Sequence, residues 1–276
     1  MRKVLGLVVS NRKLGNSELL VKEIMLNIPE DCQFELIRLP DMKIESCIAC
    51  YKCLEYDNGC VKQDDFNFVM EKITQADALI IGVPVYLLGP QGCYKMLCDR
   101  LVAGFKYHPY TAGKPCIIVV PYGTRRWEGY TRAALLVMPH LLQMKIVDYW
   151  PVFATLPGES FINEANREYA RNLGKRVFQS GPFVPGPWEC PYCGSDLFRL
   201  LPGNKIECPM CGIAGDLQSG RQPNFAPDQE CRLSEHQILE HFDGWVREMK
   251  TKFFEKKDQL KTVQKGYKEF DWWIKP

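Results

Sequence analysis

A regular alternation of short apolar segments with amphipathic segments most constrains how this chain can fold. The apolar, β-branched segments predict buried strands at residues 3–9, 34–39, 77–85, 114–123 and 145–153. Segments with apolar residues at helical spacing predict helices from residue 17 and at 64–75, 90–102, 129–142 and 163–180. Strands that alternate with helices in this way favour an α/β fold, a doubly wound five-stranded parallel sheet with helices on both faces.

A composition break follows the last of these helices. Residues 181–188 (GPFVPGPW) contain three prolines and two glycines, which cannot continue a helix. We therefore expect an α/β domain at residues 1–180 and a small cysteine-containing module at residues 188–220. A C-terminal helix and an aromatic tail are expected at residues 233–276, where apolar residues again recur at helical spacing.

The charge balance argues against several classes of partner. The net charge of +2 gives no overall basic or acidic field, so nothing global points to nucleic acid or to an anionic membrane. No signal peptide is visible, because the N-terminal apolar run extends only from Val4 to Val9. No apolar stretch approaches the roughly 18 residues of a membrane span. We therefore expect a soluble cytoplasmic protein.

The loop between the first predicted strand and the first predicted helix carries groups that can bind an anion. It reads SNRKLGNS at residues 10–17, and the N-terminus of a helix presents free N–H groups to an anion. Ser10, Asn16 and Ser17 add side-chain donors, and Arg12 can form a charge-assisted bond to a phosphate. The loop matches neither the Walker nor the dinucleotide pattern. It therefore suits a phosphomonoester, and an ordinary capped loop without a ligand is the alternative.

Two segments resemble the NADPH-dependent FMN reductase and iron–sulfur flavoprotein families. The first is the strand, the S-x-R-x-x-G-N-S loop and the helix that follows it. The second is residues 76–100, ADALIIGVPVYLLGPQGCYKMLCDR, which is similar to their third strand, P-V-Y flavin loop and following helix. The resemblance covers roughly residues 3–180 and implies a flavodoxin-like fold that binds FMN. The lack of a dinucleotide pattern favours FMN over FAD.

The resemblance also implies which residues would bind the flavin. The phosphate group would be held by Ser10, Arg12, Asn16 and Ser17. The isoalloxazine ring would be lined by Pro84, Val85, Tyr86 and Leu87. The match is loose after the fourth predicted strand, where the other edge of the ring would meet Tyr122, Gly123 and Thr124. No acid–base constellation identifies a catalytic residue.

A first group of four cysteines lies at residues 47–60, which read CIACYKCLEYDNGC. Three cysteines at successive x2 spacing are typical of ferredoxin cluster loops, whereas zinc ribbons pair two C-x2-C knuckles. We therefore predict a four-iron four-sulfur (4Fe-4S) cluster, and the segment resembles the compact cluster motif of the iron–sulfur flavoproteins. A zinc site and free thiols are the alternatives. The predicted ligands are Cys47, Cys50, Cys53 and Cys60.

A second group of cysteines forms two C-P-x-C-G knuckles beyond the composition break. Four thiolates suit tetrahedral zinc or a single rubredoxin-type iron, and the short segment between the knuckles favours a zinc ribbon. Its few dispersed cations are weak support for nucleic-acid binding, so we expect a metal that stabilises a small module. The predicted ligands are Cys190, Cys193, Cys208 and Cys211. The isolated cysteines are expected to be buried small hydrophobes, namely Cys32, Cys93, Cys98, Cys116 and Cys231.

Together these sites predict an oxidoreductase that depends on FMN and an iron–sulfur cluster. A flavin exchanges one or two electrons and a cluster exchanges one, so the pair can connect one-electron and two-electron partners. The resemblance implies a ferredoxin-like donor or NAD(P)H, and an acceptor such as a quinone, an oxygen species or a small organic compound. It also implies a homo-oligomer, a dimer or tetramer, in which the aromatic tail Phe270–Ile274 packs on another subunit or on the main domain.

Two alternatives to this function remain open from the sequence. The first is a cluster-less NAD(P)H:FMN or quinone reductase, which would show a pure flavin spectrum. The second is an FMN-containing scaffold in which both cysteine groups hold structural zinc and the C-terminal module docks a partner.

Overall fold

The structure is a computed structural model of the chain, and it describes residues 1–55, 59–179, 181, 183–217, 222–270 and 272–274. In these residues the strands are β1 (Arg2–Val8), β2 (Cys32–Arg38), β3 (Ala78–Gly82), β4 (Val85–Tyr86), β5 (Gly89–Pro90), β6 (Pro115–Tyr122), β7 (Lys145–Phe153), β8 (Arg199–Leu201), β9 (Lys205–Glu207), β10 (Ala214–Asp216) and β11 (Asn224–Phe225).

Helices alternate with the strands of the first two thirds of the chain and form its C-terminal end. The α-helices are α1 (Asn16–Leu26), α2 (Phe66–Gln75), α3 (Gly92–Cys98), α4 (Leu101–Gly104), α5 (His108–Thr111), α6 (Thr131–Leu141), α7 (Glu164–Arg176), α8 (Glu235–Leu239), α9 (Arg247–Glu255) and α10 (Lys257–Lys265). A π-helical segment, Glu240–Val246, joins α8 to α9. Among the described residues, none of the helices has both the length and the apolar character needed to cross a membrane.

The main sheet has five parallel strands in the order β2-β1-β3-β6-β7. The predicted fold class is therefore confirmed, and each predicted strand overlaps an observed one. The chain first adds a strand on one side of β1 and then continues on the other side, so the strand order reverses beside β1. Ligands of such sheets bind outside the carboxyl ends of the strands at this reversal.

Helices cover both faces of this sheet. Along β1, Leu5 and Leu7 pack toward α2, α3 and α6, whereas Val4 and Val8 pack toward α1 and α7. Because successive strand residues point to opposite faces, a strand buried on both sides needs apolar residues at every position. This double burial explains why the strands are continuous apolar runs in the sequence.

The third βα unit differs from the sequence prediction. The predicted strand 77–85 ends at Gly82, and Pro84, which has no N–H to donate, precedes the antiparallel pair of β4 and β5. The predicted helix 90–102 is broken after Cys98, and the short helices α4 and α5 follow. Both interruptions occur where the chain forms the candidate sites described below.

The second cysteine group lies in a small antiparallel sheet of the order β11-β10-β9-β8, which packs against α6. Arg132 of α6 donates from Nε to the carbonyl of Gly194 at 2.7 Å and forms an ion pair with Glu189. His140, at the other end of α6, lies 2.9 Å from the carbonyl of Cys193. The division of the chain into separate domains stays a prediction.

The C-terminal helices fold back onto the α/β unit. Ile238, Phe242 and Val246 are buried against Phe105, which follows α4. Helix α10 continues the helical region to Lys265, within the range 233–276 in which a helix and a tail were expected. The described residues of the aromatic tail are exposed, and Asp271 lies outside the described part of the chain.

Candidate functional site

A cleft of about 350 Å³ lies at the carboxyl edge of the main sheet. The loops that follow β1, β3, β6 and β7 line it. This is the position, outside the carboxyl ends of the strands, at which sheets with a reversed strand order bind their ligands. It brings together all the predicted flavin residues except Tyr122 and Thr124. The sequence analysis did not name four further lining residues, Gly15, Pro121, Ala154 and Thr155.

The predicted phosphate loop forms one end of this cleft. Helix α1 begins at Asn16, and the first N–H groups of a helix have no partner within it. Ser10 and Ser17 are buried beside these groups, and Arg12 is held at the rim because its Nη1 donates to the Thr155 carbonyl at 3.0 Å. The loop therefore combines free N–H groups, hydroxyls and a cation, as a phosphate site requires.

Asn16 has a different role in the structure from the one that its sequence position suggested. Its Nδ2 donates to the carbonyls of Leu156 at 2.9 Å and Ala154 at 3.3 Å, and its Oδ1 accepts from the N–H of Ser160. The side chain thus ties the start of α1 to the segment after β7. Because its side chain is engaged in these bonds, Asn16 can offer an anion its backbone N–H.

Arg38, at the end of β2, supports the phosphate loop from below. Its Nη1 donates to the carbonyls of Ser10 at 2.8 Å and Arg12 at 3.2 Å. Its Nη2 donates to the carboxylate of Glu18 at 2.5 Å. The guanidinium therefore fixes the backbone of the loop from which the donors project.

Glu18 completes this support and carries a charge despite its burial. Burial raises the pKa of its carboxyl group, but hydrogen bonds from Lys22, Arg38 and the Leu14 N–H lower it further, to a net value of about 2. The carboxylate is therefore ionised at neutral pH. It holds the turn of the loop at Leu14 through a 2.8 Å hydrogen bond.

The predicted ring-binding segment is a tight hairpin formed by β4 and β5. Leu87 and Leu88 occupy its turn with positive φ angles of 48° and 68°, which are unfavourable for residues with a side chain. The hairpin rests on Tyr130, and a Cβ added to Gly89 would lie 2.5 Å from the Tyr130 hydroxyl. Packing therefore holds a strained turn at the cleft, as is common at binding sites.

Two predicted residues lie outside the cleft. Tyr122 packs edge-on against Phe153, with the ring centroids 5.6 Å apart. Thr124 is exposed, and its carbonyl accepts a hydrogen bond from the N–H of Trp127. Of this loosely matching segment, only Gly123 lines the cleft.

The first cysteine group surrounds a second cavity, of about 220 Å³. The loop that bears it follows β2, and positive φ angles at Ala49 and Tyr51 turn the chain between successive cysteines. Asn67 of α2 fixes the last cysteine through hydrogen bonds with the N–H and carbonyl of Cys60. The structure does not describe residues 56–58. All four predicted ligands line the cavity, namely Cys47, Cys50, Cys53 and Cys60.

The thiols of this group affect one another. Burial, followed by the neighbouring thiols of Cys60 and Cys50, raises the pKa of Cys53 to about 11. A thiol with such a pKa stays protonated at neutral pH unless a metal cation replaces its proton. In the part of the chain that the structure describes, only the second group forms a compact single-ion site. The wider arrangement of the first group fits an occupant larger than one ion.

A buried ion pair closes the wall of this cavity. The Arg100 guanidinium pairs with the carboxylate of Asp64, and both side chains are almost completely buried. Burial lowers the pKa of Arg100, but the hydrogen bond with Asp64 and the neighbouring sulfur of Cys60 raise it above its ordinary value. Arg100 therefore remains a cation in the wall of the cysteine cavity.

The second cysteine group forms a compact four-sulfur site. The four Sγ atoms lie within 4.8 Å of one another, and the cysteines are buried. Gly194 and Gly212 take positive φ angles of 72° and 81°, so each knuckle turns and its glycine N–H bonds to the carbonyl of its first cysteine. Four thiolates at these distances suit one tetrahedral ion. The group consists of the four predicted ligands, Cys190, Cys193, Cys208 and Cys211.

Of the five isolated cysteines that were predicted to be buried, one is buried. Cys116 is fully buried in the sheet, and burial strongly raises its pKa. The other isolated cysteines are half-buried. Cys231 packs against the four-sulfur site, next to Cys211.

The supporting residues Arg38, Asp64 and Arg100 were not singled out by the sequence analysis. Arg38 is the next-to-last residue of the predicted strand 34–39, so its position near the carboxyl edge could have indicated a role there. Asp64 and Arg100 are 36 residues apart and meet only through tertiary folding. No local pattern could have paired them.

These features define a class of protein, a flavodoxin-like α/β fold with a phosphate loop and a cleft at the carboxyl edge of its sheet. The model of the NADPH-dependent FMN reductase family matches residues 2–155. The chain belongs to this family, and it is a flavin-dependent oxidoreductase.

Individual relatives agree with this assignment. An iron–sulfur flavoprotein of Methanocaldococcus jannaschii is 32% identical over 189 residues, which are 63% of this chain and 95% of that protein. Another, from Archaeoglobus fulgidus, is 27% identical over 187 residues, 64% of this chain and 80% of that protein. A solved flavone reductase has a similar fold, with a TM-score of 0.76 and 20% identity, over 99% of both chains. That fold similarity includes the C-terminal third of the chain.

Proposed function

We propose that this flavin-dependent oxidoreductase binds FMN in the cleft and a 4Fe-4S cluster in the cysteine cavity. It would pass electrons between NAD(P)H or a ferredoxin-like carrier and a small-molecule acceptor. The observation that carries the proposal is the arrangement of four cysteines around one cavity in a chain of the FMN reductase family. The proposed cluster ligands are Cys47, Cys50, Cys53 and Cys60.

The cleft supports FMN through the chemistry of its two ends. The N-terminus of α1, Arg12, Ser10 and Ser17 would hold the phosphate, and Arg38 would keep their loop in place. At the other end, Pro84 and the β4–β5 hairpin offer an apolar surface for a flat ring. When bound, the flavin would supply one- and two-electron chemistry. The chain's own contribution is to orient the ring and shield one of its faces from water.

Three observations support the cluster over zinc at the first site. The sulfurs are spread around a cavity, whereas a single zinc ion needs four thiolates close together, and only the second group has that spacing among the described residues. The buried cation of Arg100 would balance the negative charge of a thiolate-bound cluster. The relatives of M. jannaschii and A. fulgidus are named iron–sulfur flavoproteins.

We propose zinc for the second site. Its sulfurs are buried and compact, and its sheet has only a small apolar core besides the cysteines themselves. A module of this size needs a metal or another cross-link for stability. The small sheet β8–β11 and the second cysteine group together form a ribbon that also packs on α6. The zinc would therefore stabilise the surface that covers this helix.

Metal and flavin analysis of one anaerobic preparation tests the proposal. We expect about four iron, four sulfide, one zinc and one FMN per chain. Cys50→Ser should abolish the broad visible absorbance and the iron while FMN stays bound. Cys93→Ser, which alters a half-buried cysteine outside the cavity, is the matched control and should retain all four components. Zinc in both cysteine groups of the wild-type protein would contradict the cluster.

A planar aromatic compound is the acceptor that the rim of the cleft favours. Tyr86 and Tyr130 are exposed on and beside the hairpin, and Trp127 is exposed in the same loop as Tyr130, so that aromatic rings are available to stack on a flat molecule. We expect a quinone or a flavone to reoxidise the reduced protein, and Trp127→Ala to slow this reaction several-fold. Reoxidation by ferricyanide, which does not stack, should be unchanged in the same variant. Equal effects on both oxidants would remove Trp127 from the acceptor site.

A further inference from the structure

Arg100 has two hydrogen-bond donors that nothing in the described part of the chain satisfies. Its side chain is 1% exposed. Its Nη1 is engaged by the Asp64 carboxylate and by the Glu45 carbonyl at 3.3 Å. Its Nε and Nη2 are buried and find no acceptor among the described residues.

Such a pair of donors requires an acceptor. Leaving the buried donors of a charged group unpaired costs more free energy than leaving those of a neutral group unpaired. Asp64 is not the missing acceptor, because within the described residues its contact with the guanidinium is made through Nη1 and reaches neither Nε nor Nη2. The guanidinium lines the cavity that the four cysteines surround, so the acceptor belongs in that cavity.

We propose that Nε and Nη2 of Arg100 donate to sulfur atoms of the cluster and that the Arg100–Asp64 pair sets its reduction potential. This inference rests on the cluster of the proposed function. A cluster held by four thiolates is anionic, and uptake of one electron from a donor makes it more negative by one charge. A buried cation stabilises the reduced form, and a buried anion opposes it, since hydrogen bonds and charges near the sulfurs tune such potentials.

A purely structural role for the ion pair makes a different prediction. Arg100 also stacks over the ring of Phe66 at 4.3 Å, and the pair links three segments of the chain. If the pair served only to hold these segments together, loss of either partner would disturb the cavity in the same way. A purely structural role therefore predicts that loss of Arg100 and loss of Asp64 shift the reduction potential in the same direction. The electrostatic role predicts shifts in opposite directions.

The test compares Arg100→Gln with Asp64→Asn in the full-length protein. The potential of the cluster is measured by redox titration followed by electron paramagnetic resonance. We expect Arg100→Gln to lower the potential and Asp64→Asn to raise it, each by about a tenfold change in the ratio of reduced to oxidised cluster. That change is about 59 mV for a one-electron couple. Lys175→Gln, which removes an exposed cation from α7 on the other face of the sheet, is the control and should change the ratio less than twofold.

Each result decides between the possibilities. Opposite shifts support the inference, and shifts of equal sign, or none, overturn it while the proposed function stands. A wild-type protein without iron and sulfide overturns both. If Arg100→Gln folds but loses the cluster, Arg100→Lys and Asp64→Asn replace it in the comparison. The potential of Asp64→Asn must then still rise above that of the wild type, and a fall would overturn the inference.

Discussion

At the scale of single residues, the phosphate loop shows how a few buried interactions prepare a binding site. The donors that face the cleft come from residues adjacent in sequence, but Arg38 and Glu18 hold them in place from outside the loop. Preorganised donors lose little conformational entropy when a ligand binds. The affinity for FMN should therefore depend on both sets of residues.

Arg12→Ala should weaken FMN binding by about 1.5–3 kcal/mol, because it removes a charge-assisted hydrogen bond to the phosphate. This loss corresponds to roughly a 10- to 150-fold higher Kd. Titration of the apoprotein with FMN, followed by flavin fluorescence, measures it. Lys13→Ala removes a neighbouring cation that does not line the cleft, and its Kd should stay unchanged. Equal Kd values for the Arg12 variant and the wild type would exclude Arg12 from the site.

The stability that Glu18 contributes to the folded protein depends on pH. Its folded-state pKa is about 2, against an ordinary value of 4.5. Because folding depresses this pKa, the ion pairs stabilise the protein above about pH 4.5, and the contribution is lost as the pH falls toward 2. Its full size is on the order of 3 kcal/mol. The free energies of unfolding of wild type and Glu18→Gln, measured in denaturant, should converge across this range, and a pH-independent gap would contradict the assignment.

At the scale of elements, the β4–β5 hairpin has a strained turn that lowers the stability of the protein but shapes the wall of the cleft. Leu87 is 86% exposed and adopts a positive φ angle, so its side chain gains little from packing in the protein alone. Leu87→Asn should raise the free energy of unfolding of the apoprotein by up to about 1 kcal/mol, since Asn tolerates this conformation. The same variant should bind FMN more weakly. Thermal unfolding measures the expected gain in stability, and FMN titration measures the expected loss of affinity. A loss of both stability and affinity would argue against strain at Leu87.

The ribbon should respond as a unit with helix α6. Cys193→Ser is expected to remove about one zinc per chain and to speed hydrogen exchange in the ribbon and in α6, because Arg132 and His140 bond to its carbonyls. Flavin and cluster spectra should be retained. Metal analysis with hydrogen-exchange mass spectrometry measures these effects. Loss of iron in place of zinc would identify a rubredoxin-like centre.

The sequence predicted the elements well and their interruptions poorly. Strands such as β1 are continuous apolar runs because both of their faces are buried, and this pattern is local. The break after Cys98 precedes Arg100, whose side chain turns inward to reach Asp64 across the fold. Asn16 likewise bonds to Leu156, far away in sequence. Roles that rest on such distant partners leave no periodic signal in the chain.

At the scale of the whole molecule, the exposed aromatic tail suggests how copies of the chain associate. Trp272, Trp273 and Ile274 are 80%, 84% and 97% exposed, and adjacent apolar groups of this size commonly mark protein contacts. We expect light scattering to give the mass of a dimer or tetramer for the wild type. The double variant Trp272→Ala/Trp273→Ala should give a lower mass, whereas the exposed-aromatic control Tyr110→Ala should not. A monomeric wild type would refute self-association.

The two cysteine groups differ in how solvent reaches them, and this difference bears on how the protein matures. Cys47 and Cys50 are exposed, whereas the four ribbon cysteines are buried. The proposed zinc would therefore have to enter the second cysteine group while that part of the chain folds, and it should then exchange slowly with chelators. The first cysteine group stays open in the folded chain, so the proposed cluster would be inserted last. The same opening would make that cluster the first centre that an oxidant in the surroundings destroys.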